Sequence, residues 1–351
     1  MDREDIDLAA LPRGPSPDCI TPGTPFAEGR DDGEFFAATD AQLSNEEGRE
    51  RQEFSLPPVD GGKDAWLFLA ACFAIEALVW GFPFAFGVFQ DYYNSHEPFA
   101  GQPNIAVIGT SAMGIMYLTA PIIMGCCRAF GRWTRWTPLL GLFTMSVSLA
   151  LSSFATTTTH LILAQGIFYG LGGGIAYCPC IVYMDEWFVK RKGLAYGIMW
   201  SGTGLAGVVL PLLMEWLLTT LGFRNTLRLW AGLLFVLTAP LALFVKPRLP
   251  PSATSHIKPF NLRFVLTPVF LLYQTANIVE SMGFFLPGIY LPTYARSILG
   301  AASISAATTI LLVNVASVFG CIAMGWFIDR LHVTTCILLS TIGATVGVFL
   351  G

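Results

Sequence analysis

Apolar residues gather in runs of about twenty, separated by short polar links, over most of the 351-residue chain. A bilayer core about 30 Å thick needs about 20 apolar residues of helix to cross it. The pattern predicts nine membrane spans: Ala65 to Phe89, Ile105 to Met124, Thr137 to Ala155, Leu161 to Tyr183, Leu194 to Leu217, Leu229 to Val245, Pro268 to Leu291, Ile304 to Ile328 and Val333 to Gly351. Links near ten residues make neighbouring spans antiparallel. The segment 246–267 is the longest connection after the amino-terminal tail, and reads as a cytoplasmic linker between a six-helix bundle (65–245) and three further helices (268–351).

Composition agrees. Only 13% of residues are charged, against about 25% in soluble domains, and mean hydropathy is +0.58. A soluble enzyme and a nucleic-acid binder are excluded. The net charge of −4 combines two unlike regions. Residues 1–64 hold 16 acidic side chains against 6 basic, a balance of −10, and the rest of the chain is +6. That tail is rich in Pro, Gly, Ser, Asp and Glu, the composition of a disordered segment. It lacks the pattern of a cleaved signal peptide.

Loop cations set the sidedness. The links after spans 2, 4, 6 and 8 carry 11 Lys or Arg, including Arg128, Lys190, Arg191 and Arg330, against 3 in the links after spans 1, 3, 5 and 7. Positive loops stay cytoplasmic, so the amino terminus is expected inside. A multi-pass protein of the plasma membrane follows, with the vacuolar membrane as the alternative. The eight Cys form no disulfide framework or zinc pattern, and the four His lie at loops or helix ends, so no metal or cofactor is expected.

An offset of 202 residues carries Gly81-Phe82 onto Gly283-Phe284, and Arg128 onto Arg330. Parallel repeats of this kind build many secondary transporters. Gly325-Trp326-Phe327-Ile328-Asp329-Arg330 resembles the Gly-x-x-x-Asp-Arg signature of the major facilitator superfamily; in the first half Ile123 and Cys127 replace its Gly and Asp. Trp187-Phe188-Val189-Lys190-Arg191-Lys192-Gly193-Leu194-Ala195-Tyr196-Gly197 resembles the span 4–5 signature of the monocarboxylate transporter family, with the Gly-rich Ser201 to Gly207 and Pro211 as its continuation in fungal members. Asp60-Gly61-Gly62 and Gly81-Phe82-Pro83 fit as well.

The resemblance implies an all-α polytopic protein of the major facilitator fold. It implies secondary transport of a small organic solute, a monocarboxylate or related metabolite, by alternating access, with a proton as candidate co-substrate. It also implies that Gly325, Asp329, Arg330, Arg128, Lys190 and Arg191 form a gating motif. Two departures matter. Phe84 stands where well-studied carriers place a Lys, and their span 8 Asp and Arg fall near Ser317 and Cys321. Lactate-type symport is therefore not expected. Six spans plus three make an unfinished repeat, so truncation is expected, with self-association if it is real.

Charges near the bilayer centre usually face a cavity or a partner. Glu76 in span 1 and Glu280 in span 7 are expected to line a shared central cavity. Trp80 shares a helical face with Glu76, and Tyr273 and Asn277 share one with Glu280; each acid could equally be neutral and hydrogen-bonded to a neighbouring helix. Asn314 and Ser317 on span 8 form either a polar stripe on the cavity wall or interhelical hydrogen bonds. Trp200 and Tyr196 could stack on a substrate ring or pack in the core. Glycines of spans 4 and 5 are expected where helices rock against each other. The competing function is a non-transporting substrate sensor on the same scaffold, or an inactive truncated carrier.

Overall fold

The computed structural model describes residues 56–249, 262–298 and 303–350. Most of the acidic tail and of the 246–267 linker lies outside the described residues. Among those described there are helices and turns and no strands: α1 (Gly62–Phe84), α2 (Phe86–Ser95), α3 (Ile105–Ala129), α4 (Gly131–Thr134), α5 (Thr137–Ser152), α6 (Thr158–Leu161), α7 (Tyr169–Trp187), α8 (Lys192–Ala242), α9 (Pro268–Ser297), α10 (Ser303–Ile328) and α11 (Val333–Leu350). A π-helical stretch, Ile162–Phe168, fuses α6 to α7, and a short 3₁₀ turn, Leu262–Leu266, precedes α9.

The first span differs from expectation. It runs longer, Gly62 to Ser95, and breaks at Ala85 behind Pro83. Pro83 has no N–H, so the carbonyl of Val79 loses its helical donor. The buried hydroxyl of Tyr169 on α7 donates to that carbonyl at 2.9 Å. Pro211 likewise frees the carbonyl of Gly207 on α8, and Asn314 Nδ2 on α10 donates to it at 3.3 Å. Each proline thus opens a carbonyl, and a neighbouring helix closes it.

Spans 5 and 6 emerge as one element of 51 residues. A straight helix of that length would extend about 75 Å, more than twice a bilayer core. Gly222 (φ 71°, ψ 167°) is non-helical and folds it into a hairpin. Both its ends return to one place: Lys192 follows Trp187 closely, and Trp187 Nε1 donates to the carbonyl of Lys246 at 3.0 Å. At the opposite end Phe223, beside the bend, packs its ring against Tyr93 and Phe99 at 6.0 and 5.4 Å.

The core lies among α1, α3, α5, α7 and α8, where Phe68 stacks on Trp187 and Phe82 packs on Phe89 and Tyr169. The hairpin α8 lies centrally: α1, α5 and α10 all pack on it. By contrast, α9 packs on α10 and the preceding turn, and its side chains from Leu271 to Gly283 are exposed.

Candidate functional site

Glu76 lies near the middle of the 34-residue first span and is 3% exposed. Thr203 Oγ1 on α8 donates to its Oε1 at 2.8 Å and the Tyr177 hydroxyl approaches the same carboxyl group, while Oε2 makes no hydrogen bond within 3.5 Å. One turn on, Trp80 is buried and its Nε1 also has no partner. Aromatic rings from three helices frame this pair. Tyr117 of α3 lies 4.9 Å from the Trp80 ring, Tyr177 of α7 meets it edge-on at 5.8 Å, and Phe84 follows at 6.5 Å. Trp200 Nε1 on α8 donates to the Tyr177 hydroxyl at 2.8 Å, and Tyr196 lies 5.3 Å from Trp200. Tyr117, Trp200 and Phe84 are exposed on this face. The result is a carboxyl group and an indole N–H set within an aromatic wall at mid-span.

Trp200 thus belongs to this wall, whereas Tyr196 is half-buried against the core and donates its hydroxyl proton to the Ile181 carbonyl at 3.2 Å. Tyr117, Tyr177 and Thr203 were not singled out from sequence, because isolated aromatics and threonines are common in apolar runs. Glu280 is not brought to Glu76. With Tyr273 and Asn277 it lies on the exposed stretch of α9, and no extended interface joins α9 to α1 among the described residues. Asn277 donates within its own helix, to Gln274 Oε1 at 3.2 Å. Asn314 makes the interhelical bond to Gly207 and Ser317 is exposed near Cys321, so these two form no joint stripe.

The signature residues meet at the basic end of the bundle. Asp329 accepts from the N–H groups of Gly193 (2.6 Å) and Leu194 (2.8 Å), the first turn of α8. A carboxylate there satisfies orphan donors and opposes the positive end of the helix dipole. From the other side Asp60 accepts from Val189 (2.9 Å), Lys190 (3.0 Å) and Arg191 (2.9 Å). Partial burial pushes the Asp60 carboxyl up, but those N–H groups outweigh it and hold the group below its usual 3.8. Lys190 and Arg191 thus act here through their backbone. Arg330 does not clamp a helix end: its guanidinium lies 4.0 Å over the Trp326 ring. Arg128 is exposed, and Cys127, which replaces the first-half Asp, offers no equivalent carboxylate.

Close approach of α8 and α10 makes the Asp329 cap possible. Glycines 193 and 197 of α8 lie directly against the backbone of Gly325 and Cys321 of α10, and Gly204 and Gly207 make room for the Val318 and Asn314 side chains. A Cβ on Gly204 would lie 2.9 Å from the Asn314 carbonyl oxygen, and one on Gly325 would meet the backbone of Gly193. Small residues at such a seam let backbones touch in lipid.

The sequence profile of the Major Facilitator Superfamily matches residues 68–351, four-fifths of the chain. The chain belongs to the major facilitator superfamily. An MFS-type transporter of Aspergillus terreus, pytF, is 30% identical over 289 residues, covering 80% of this chain and 95% of that protein. The aspyridones efflux protein apdF of Emericella nidulans is 28% identical over 280 residues, 79% of this chain and 56% of that protein. Monocarboxylate transporter 13 of Bos taurus is 29% identical over 275 residues, 78% of this chain and 63% of that protein. Apart from the Aspergillus terreus protein, the chain spans about three-fifths of the length of the curated relatives it matches. As a major facilitator protein this chain is an integral membrane protein, with an all-helical fold and Asp329 of its signature seated on α8.

Proposed function

We propose that the chain is the solute-moving part of a secondary transporter that exports a small organic solute by alternating access. The observation that carries this reading is Glu76: a buried carboxyl group at mid-span with one oxygen open, framed by rings from α1, α3, α7 and α8. Relatives named as efflux proteins, such as the aspyridones efflux protein of Emericella nidulans, support export. The glycine seam between α8 and α10 supplies a plane on which the two halves pivot. The basic end, with Lys190, Arg191, Lys192, Lys246 and Arg248, is assigned to the cytoplasm by the positive-inside rule, which also places the amino terminus there.

A monocarboxylate cargo is the second reading, favoured by the resemblance to monocarboxylate transporter 13. It has little chemical support here, because residues 65–95, 105–127, 161–189 and 193–223 contain no Lys or Arg to hold a carboxylate. Proton coupling belongs to the same proposal, with Glu76 as the group that would bind and release the proton.

The test uses proteoliposomes containing the full chain. They are loaded in turn with lactate, 2-naphthoate and the neutral lactam quinolin-2-one, and efflux is followed with and without a pH gradient. Carrier-dependent flux of any one, accelerated by the gradient and lost in Gly325→Leu, supports coupled transport. Binding of a solute without flux of any would instead support a sensor.

A further inference from the structure

Two buried polar atoms without partners lie one helical turn apart on α1: the acceptor Glu76 Oε2 and the donor Trp80 Nε1. A buried polar group with no hydrogen bond is costly to keep, so a site that holds both open is suited to something that fills both. Residues i and i+4 share a helix face. The rings around them, Tyr117, Tyr177 and Phe84, offer flat apolar surfaces, and Tyr177 is held in place by Trp200 Nε1 at 2.8 Å. A second one-turn pair without partners, Thr226 and Trp230, packs in the core at 0% and 2% exposure, with no aromatic ring against it among the described residues. It has neither an ionisable group nor an open aromatic face. The Glu76–Trp80 pair has both.

We propose that Glu76 and Trp80 form a two-point recognition site for a planar, conjugated, neutral solute that carries an N–H or O–H donor next to a carbonyl acceptor, as in an amide or lactam. The solute's donor bonds to Glu76 Oε2, its carbonyl accepts from Trp80 Nε1, and its ring packs against the exposed rings of Tyr117 and Phe84. A carboxylate would place an anion beside a carboxyl group, with no Lys or Arg in the stretches 65–95, 105–127, 161–189 and 193–223 to offset it. An organic cation would satisfy Glu76 but leave the indole N–H without an acceptor. The inference rests on the reading of this face as the solute site, and it narrows the cargo from any small organic molecule to this chemical class.

The experiment measures binding of tritiated quinolin-2-one to the full chain in nanodiscs by equilibrium dialysis. N-methylquinolin-2-one lacks the donor and quinoline lacks the carbonyl; each is expected to bind about tenfold more weakly or worse. Unlabelled 2-naphthoate and N-methylquinolinium are expected not to compete. Trp80→Phe keeps the ring and the packing and should remove the preference for quinolin-2-one over quinoline, while Glu76→Leu should remove the preference over the N-methyl compound. Should Glu76→Leu not fold, Trp80→Phe decides alone. Binding of 2-naphthoate or of the quinolinium in preference to the lactam overturns the proposal, as does no binding of any probe. An affinity unchanged by Trp80→Phe shows that the pair holds a structural water and overturns it too. Lactam binding without flux would sink the transport reading and keep the site; naphthoate flux without lactam binding would do the reverse.

Discussion

Replacing Gly325 with alanine tests the seam between α8 and α10 in one methyl group. The new Cβ would lie 3.0 Å from both Gly197 Cα and the carbonyl carbon of Gly193, and closer still to the Gly193 oxygen. All three are backbone atoms, so no side chain can move aside. Ordinary carbon contacts of 3.5–4.0 Å require the helices to part by about 1 Å. Asp329 lies one turn beyond, and its bonds to Gly193 and Leu194 at 2.6 and 2.8 Å would stretch past the hydrogen-bond range of about 3.2 Å. Two hydrogen bonds to a charged acceptor at about 1.5–3 kcal/mol each would go, and partial exposure of Asp329 argues for the lower figure, about 3 kcal/mol together. At 2–4 °C per kcal/mol, Tm should fall by about 6–12 °C. The assay is thermal unfolding in nanodiscs beside Gly320→Ala on the same helix. Gly320 has nothing within 4 Å of its Cβ position, and alanine there should raise Tm slightly through helix propensity. If both variants melt alike, the seam does not hold the two halves together and the reasoning fails.

Other expectations are simpler. Tyr169→Phe leaves the Val79 carbonyl without a donor behind Pro83 and should cost about 1–3 kcal/mol, read as a lower Tm with helix content unchanged by circular dichroism. Thr203→Val takes away the donor to Glu76 Oε1 and should cost a similar amount, about 1–3 kcal/mol; equal Tm would show that Glu76 is solvated. Asp60 is held below its ordinary pKa of 3.8, so its contribution is present above that value and lost as pH falls through the folded pKa. The Tm gap between wild type and Asp60→Asn should therefore be full at pH 6 and close below about pH 4. Glu280→Gln, on the exposed stretch of α9, should change stability by less than about 0.5 kcal/mol; a larger loss would show that a partner covers that face.

The spans were legible because only a helix about twenty apolar residues long can cross lipid with its backbone satisfied. The bend at Gly222 was less so: apolar residues continue through it, and the sequence suggested a loop where a single glycine turns the chain. Glu76 stood out as a charge in an apolar run. Its partner Thr203 could not, because Thr110 and Thr144, in similar runs, bond to carbonyls of their own helices. Glu280 has the same local signature as Glu76 yet a different setting, because setting is decided by which helices pack alongside. Prolines 83 and 211 announced two free carbonyls, but their donors, Tyr169 and Asn314, come from positions 86 and 103 residues further along. Asp329 and Arg330 sit side by side in the signature, yet Asp329 caps the start of α8 while Arg330 stacks on its neighbour Trp326, a split that adjacent positions in the sequence do not reveal.

The link from Val189 to Leu194 is gripped by two carboxylates made at very different times. Asp60 leaves the ribosome about 130 residues before its partners, and Asp329 about 135 after the N–H groups it caps. During synthesis the start of α8 must therefore wait, its first amides facing water or lipid head groups, until α10 has entered the membrane. Translation stalled between these two events would leave a helical hairpin fastened on one side and loose on the other, the stage at which insertion factors would find most to hold.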